Sequence, residues 1–107
     1  MNRPGENKPP MGLLPPLAAL AIATTMDHGA QGKHKPFGWV NEDIQLFRDA
    51  GQRHHYYREA GEVYDPDSGL LHSAHKATNA VIELAKELQV AKLWTPDAPA
   101  TALRVVR

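Results

Sequence analysis

Apolar positions recur at spacings of three and four through separate stretches of this chain, and the residues between them are ones that cap or break helices. The first stretch, LLPPLAALAIATTM, starts a helix at Pro16, where proline suits the first turn, and runs over about residues 15–28. In the second, Ile44, Phe47, Gly51, His54 and Arg58 share one face of a helix over about residues 42–60. His54 therefore continues the apolar stripe, while His55 lies about 100° around the helix. Gly61 is placed to cap its end. In the third, Leu71, Ala74, Thr78, Val81, Ala85 and Leu88 form an inward seam, with His72, His75 and Asn79 on the flank beside it. This helix is expected to pack antiparallel to the second. The fold class that follows is all-α, a small bundle of three to four helices.

The segments between these stretches divide the chain. Residues 1–12 are rich in Pro, Gly and charge and read as a leader without fixed structure, residues 13–90 as the helical domain, and residues 91–107 as a tail broken at Pro96 and Pro99. That tail is expected to dock Leu93, Trp94 or Leu103 elsewhere, for instance on a partner subunit. The loop at 29–41 carries Gly32, Pro36 and Gly38 and is long for a compact helical domain, which suits a functional loop. In it Lys33 and His34 are candidates to reach over a phosphate, and Trp39 to stack on a base or simply to pack. The stretch Asp65-Pro66-Asp67-Ser68-Gly69 has the chemistry of a tight reversal, with Asp67 or Ser68 placed to cap the next helix.

Composition narrows the classes. A chain of 107 residues with 42% hydrophobic content is the size of one domain. A domain that small buries only about two thirds of its unfolded surface, so completion of the bundle by homo-oligomerisation is expected. Twelve basic residues balance twelve acidic ones with no block of like charge, which argues against a dedicated nucleic-acid scaffold. Cysteine is absent, compatible with a reducing cytoplasm and excluding disulfides and thiolate metal sites. The apolar run at 17–23 is far shorter than the ~20 residues that span a bilayer. No membrane association is expected.

Chemistry concentrates in GEVYDPDSGLLHSAHKATN, residues 61–79. Positions three and four apart share a helix face, so His72, His75 and Asn79 can converge on one ligand while Asp65 approaches from the preceding turn. The second helix adds Arg53, His54 and, less favourably placed, His55. Such a cluster suits a divalent metal or phosphates. Each member has an ordinary alternative: His54 bonded to a backbone carbonyl, His72 and His75 as polar residues at the core edge, Asp65 as a turn residue, Glu62 as a solvated charge, Arg53 paired with a surface acid.

Four blocks together resemble one family. LLPPLAAL at 13–20, HGAQGKHKPFGW at 28–39, Arg53-His54, and above all the block at 61–79 are similar, in order, to the phage dATP/dGTP diphosphohydrolase-like domain, an all-helical group placed near the MazG-like nucleotide pyrophosphohydrolases. The resemblance covers about residues 13–88. It implies hydrolysis of a purine deoxynucleoside triphosphate to monophosphate and pyrophosphate in a host cytoplasm. On that reading His54, Asp65, His72 and His75 gather around Mg²⁺, Mn²⁺ or Co²⁺, and the ion lowers the pKa of a bound water toward ~7. Glu62 is the general base, Arg53 and Lys33 meet phosphate charge, and His34, Trp39 and Asn79 help hold the nucleotide. The chain departs from the better-known MazG-like enzymes, which bind Mg²⁺ through a Glu-Glu-x-x-Glu helix paired with a later Glu-x-x-Asp; that pair has no counterpart here. Glu59 and Glu62 give one isolated Glu-x-x-Glu, and Glu83 and Glu87, on the far turns of the third helix, read as solvated charges. The departure leaves an alternative, a phage protein that binds and sequesters a nucleotide without hydrolysing it.

Overall fold

The computed structural model describes residues 10–31 and 35–92. A short 3-10 turn at Met11–Leu13 leads into α1 (Pro16–Gln31); a second 3-10 turn, Gly38–Asn41, precedes α2 (Ile44–Glu59); a tight loop then leads into α3 (His72–Val90). The fold is all-α among these residues, with one isolated antiparallel bridge between Tyr64 and Leu71. α3 packs against both α1 and α2. No described helix is long and apolar enough to cross a membrane. The expected leader up to residue 9, Lys33 and His34, and the tail from Leu93, with Trp94 and Leu103, lie outside the described residues.

Local chemistry sets the boundaries. Asp43 caps α2, its carboxylate accepting from the Gln45 amide at 2.8 Å. At the other end Gly61 turns left-handed (φ 104°), with its amide bonded to the Arg58 carbonyl and the Glu62 amide to the Tyr57 carbonyl. These two bonds make a Schellman cap, as the glycine predicted. α1 runs three residues past the expected stop. Gly29 does not end it, because the last turn is held by a Gln31 to Asp27 side-chain bond at 2.9 Å.

α2 and α3 run antiparallel. Arg48 pairs with Glu83 (3.6 Å) and reaches Glu87 (3.9 Å), a Cβ on Gly51 would stand 3.5 Å from that of Asn79, and His55 meets Lys76 at 2.9 Å. Position numbers fall along one helix as they rise along the other. Glu83 and Glu87, read as solvated charges, therefore have Arg48 as a partner at the surface.

The inward seam of α3 is rotated from the expected one. His72, Thr78, Ile82 and Lys86 are buried, while Leu71 and Val81 are exposed. The histidines thus lie in the seam instead of on its flank. Phe47 and Ile82 are the buried apolar side chains among the described residues, and the one side chain that is almost fully buried is His72, at 1% exposure. Burial of a polar ring is tolerated only if its polar atoms are bonded, so the bonds of His72 organise the site.

Candidate functional site

The loop between α2 and α3 aims two carboxylates at the histidines. The Asp65 amide donates to the Leu70 carbonyl, the Gly69 amide to the Asp65 carbonyl, and the His72 amide to the Val63 carbonyl. Gly69 adopts φ 73°, a conformation natural to glycine. The last of these bonds satisfies the first amide of α3, whose cap, Leu71, has no side-chain bond. Asp67 and Ser68 accordingly do not cap the helix, a correction to the expectation. Ser68 turns back to Asp65 instead.

Two hydrogen-bonded chains result. In one, His72 Nε2 lies 2.7 Å from Glu62 Oε1 and His72 Nδ1 lies 2.8 Å from His54 Nδ1. A carboxylate only accepts, so Nε2 of His72 carries the proton; its Nδ1 then accepts, and His54 donates from Nδ1 and keeps the lone pair on Nε2. In the other, Asp65 Oδ2 accepts from the Ser68 hydroxyl at 2.8 Å, and Ser68 Oγ lies 2.7 Å from His75 Nε2. Because the hydroxyl proton is committed to Asp65, His75 donates from Nε2 and keeps its lone pair on Nδ1. The His54 and His75 rings stack at 4.4 Å with 7° between their planes, joining the two chains. Tyr57 stacks on His72 from outside at 5.5 Å.

The surroundings favour neutral imidazoles. Burial lowers the pKa of His75, against the raising effect of Asp65, with His28 and His72 adding to the fall. Burial likewise lowers that of His54, and its neighbours His75 and His72 act in the same direction. For Asp65 burial acts upward, but the Ser68 hydroxyl, the Asp67 amide and His75 outweigh it and hold the carboxyl below its usual value.

The expected residues come together unevenly. His54, Asp65, His72 and His75 are gathered as predicted, yet their donor atoms face one another. Both His72 nitrogens are bonded, His75 Nε2 and Asp65 Oδ2 meet at Ser68, and among the described residues no group of three His, Cys, Asp or Glu side chains is arranged to hold a metal ion. The gathered side chains as they stand do not fit a metal centre. Glu62 is spent on His72, and Asn79 donates from Nδ2 to the His75 carbonyl at 2.8 Å. Arg53 is exposed on α2, where its charge bears on His54. Glu62 and Asp65 do stand in Glu-x-x-Asp spacing, although no Glu-Glu-x-x-Glu helix accompanies them.

A cavity of about 420 Å³ opens beside this network, between α1, the turn at 35–39 and the α2–α3 pair. Phe37, Trp39, Phe47 and Ile82 give it an apolar wall; His28, Lys35, His75 and Asn79 supply polar atoms. Its size is within the usual range for small-molecule sites, roughly 300–1,000 Å³. Trp39 and Asn79 line one space. The sequence does not single out Lys35, two positions beyond Lys33, or His28, and Ser68 joins the network instead of capping a helix. A larger groove of about 770 Å³ on the outer side of α2 and α3 is lined largely by polar and charged side chains, among them Arg48, Asp49, Lys76 and Glu83.

Comparison with known proteins supports the family that the motifs resemble. No curated protein and no solved structure matches the chain. Residues 2–95, most of its length, match the family described as dATP/dGTP diphosphohydrolase, N-terminal, and the chain belongs to that family.

Proposed function

We propose that the chain binds a purine deoxynucleoside triphosphate, dATP or dGTP, and hydrolyses it to the monophosphate and pyrophosphate. The family's description supports the hydrolase class. The observation that carries the reading is the double membership of His75, which lines the apolar cavity and also ends the Asp65–Ser68–His75 chain.

The base lies against Phe37 and Trp39, where stacking contributes roughly 1–3 kcal/mol. Lys35, at the polar side of the same cavity, meets the phosphates as a point charge; Arg53, exposed on α2 and outside the cavity lining, is the second cation assigned to them, as a bidentate fork. A water loses its proton to His75 Nδ1 as its oxygen bonds to the α phosphorus. The α–β bridging P–O bond breaks and its electron pair leaves with pyrophosphate. The imidazolium so formed is met through Nε2 by Ser68 and by Asp65, whose Oδ2 already lies 3.5 Å away. General-base help of this kind is worth typically about 10²–10⁴ in rate. Glu62 acts one step removed, orienting His72 and through it His54. A divalent ion enters this reading with the triphosphate, as part of the substrate, where it screens phosphate charge.

The test is incubation with each of the four deoxynucleoside triphosphates, with Mg²⁺, Mn²⁺ or Co²⁺ and with chelator, followed by separation of products. Pyrophosphate together with a purine monophosphate is the expected result. Intact nucleotide in every tube overturns hydrolysis, and tight binding under the same conditions would then assign the chain to sequestration.

A further inference from the structure

The aromatic wall of the cavity rests on backbone that does not hold itself. Phe37 is left-handed (φ 58°, ψ 16°), an uncommon conformation for a bulky side chain, and it opens a single 3-10 turn, Gly38–Asn41. One such turn has too few internal bonds to be stable alone. Support arrives from α3. Lys86, 8% exposed, donates from Nζ to the Trp39 carbonyl at 3.0 Å and to the Val40 carbonyl at 3.1 Å. An ammonium is buried only where its donors are met, and carbonyls toward the C-terminal end of a helical turn carry the partial negative charge that meets it. Its position continues the stripe of His75, Thr78, Asn79 and Ile82, so a charge stands where the pattern calls for an apolar residue. A leucine or methionine there would fill the seam but leave two inward-facing carbonyls without this donor.

We propose that Lys86 is a positioning residue for nucleotide binding: from the far end of the helix that carries His72 and His75, it fixes the Phe37–Trp39 turn as the wall against which the base stacks. This rests on the cavity being the nucleotide site. Lys86 touches no reacting atom, so its loss is read in binding and in the placement of Trp39, with the chemical step spared.

The chain has two tryptophans, so Trp94→Phe leaves Trp39 as the only tryptophan, excited apart from the tyrosines at long wavelength, and serves as the reference. In that background Lys86→Met is expected to shift Trp39 emission to the red, to raise its quenching by acrylamide, and to increase KM for dATP or dGTP about tenfold with kcat within about twofold. Lys86→Arg, which restores donors, is expected to recover part of each change, whereas general loosening of the bundle would not be repaired by it. Trp39 emission and quenching in Lys86→Met equal to those of the reference would overturn the proposal. A Lys86→Met chain that has lost its helical circular dichroism is replaced by Lys86→Gln and judged on the same emission. If the reference chain neither binds nor turns over any nucleotide, the nucleotide reading fails, while the emission comparison still decides whether Lys86 holds the turn.

Discussion

His75 is kept ready to accept a proton by a balance of opposed influences, and that balance makes its behaviour with pH predictable. Burial lowers its pKa while Asp65 raises it, and the net result is below the ordinary histidine value. A histidine whose folded pKa is depressed favours the folded state when neutral. Its contribution to stability is therefore complete above the unfolded pKa of about 6.5 and is lost as pH falls through the lower folded value. His54 acts in the same sense. The melting temperature is expected to be level from pH 8 to about 6.5 and to decline below it, with a shallower decline in His75→Gln; a melting temperature that climbs on acidification would contradict this. Activity should fall on the same side, because the protonated ring cannot act as base. Substitutions separate the roles further. His75→Ala removes the base and is expected to lower kcat by roughly 10²–10⁴-fold. Ser68→Ala is expected to cost less, because Asp65 Oδ2 already stands 3.5 Å from His75 Nε2 and can meet the imidazolium directly. Equal losses in the two variants would show that Ser68 does more than relay.

Between elements, the pairing of α2 with α3 decides whether the histidines meet, and two glycines report on it in opposite directions. Gly51 is helical, and a Cβ there would touch Asn79 at 3.5 Å, an ordinary contact. Gly51→Ala is expected to stabilise the fold by about 0.5–1 kcal/mol through helix propensity. Gly61 at φ 104° closes the Schellman cap, and Gly61→Ala is expected to destabilise by roughly 1–2 kcal/mol although nothing stands within 4 Å of the new methyl. Urea denaturation of the two variants measures both signs; a loss on Gly51→Ala would mean that the helices cannot yield even an ordinary contact. This level was largely legible in the sequence. The α2 stripe, the Gly61 cap and the antiparallel pairing follow from spacing and punctuation, which are local. The rotation of α3 was not legible, because Ala, Thr and Val compete for the seam with His72 and Lys86, and only bonds from elsewhere make those polar groups the better choice for burial. Glu62 and His54 satisfy His72; the Trp39 and Val40 carbonyls satisfy Lys86. The gathering of His54, Asp65, His72 and His75 was readable from helix faces. That their donor atoms point at one another was not, since it depends on a hairpin register and on Ser68 turning toward Asp65.

For the molecule as a whole, the interior is polar for its size, and apolar surface is left over. Phe47 and Ile82 are the buried apolar side chains among the described residues, whereas Leu17 and Leu20, three apart on α1, and Leu13 in the turn before it are each more than 60% exposed. Leu84 and Val81 on α3 are exposed as well. Burying apolar surface contributes about 25 cal/mol per Å², so several leucines covered on both partners give a bundle of this size a substantial share of its stability. Self-association of the chain through the leucine side of α1 is therefore expected, and it has a thermodynamic signature besides mass. When the folded state associates and the unfolded state does not, the melting temperature rises with protein concentration. Sedimentation is expected to show more than one protomer at micromolar concentration, and Leu17→Glu with Leu20→Glu to yield a monomer whose melting temperature no longer depends on concentration. A wild-type chain that sediments as a monomer and melts at one temperature over a hundredfold concentration range would instead mean that this face is solvated, and that the polar network around His72 stabilises the bundle without a second copy.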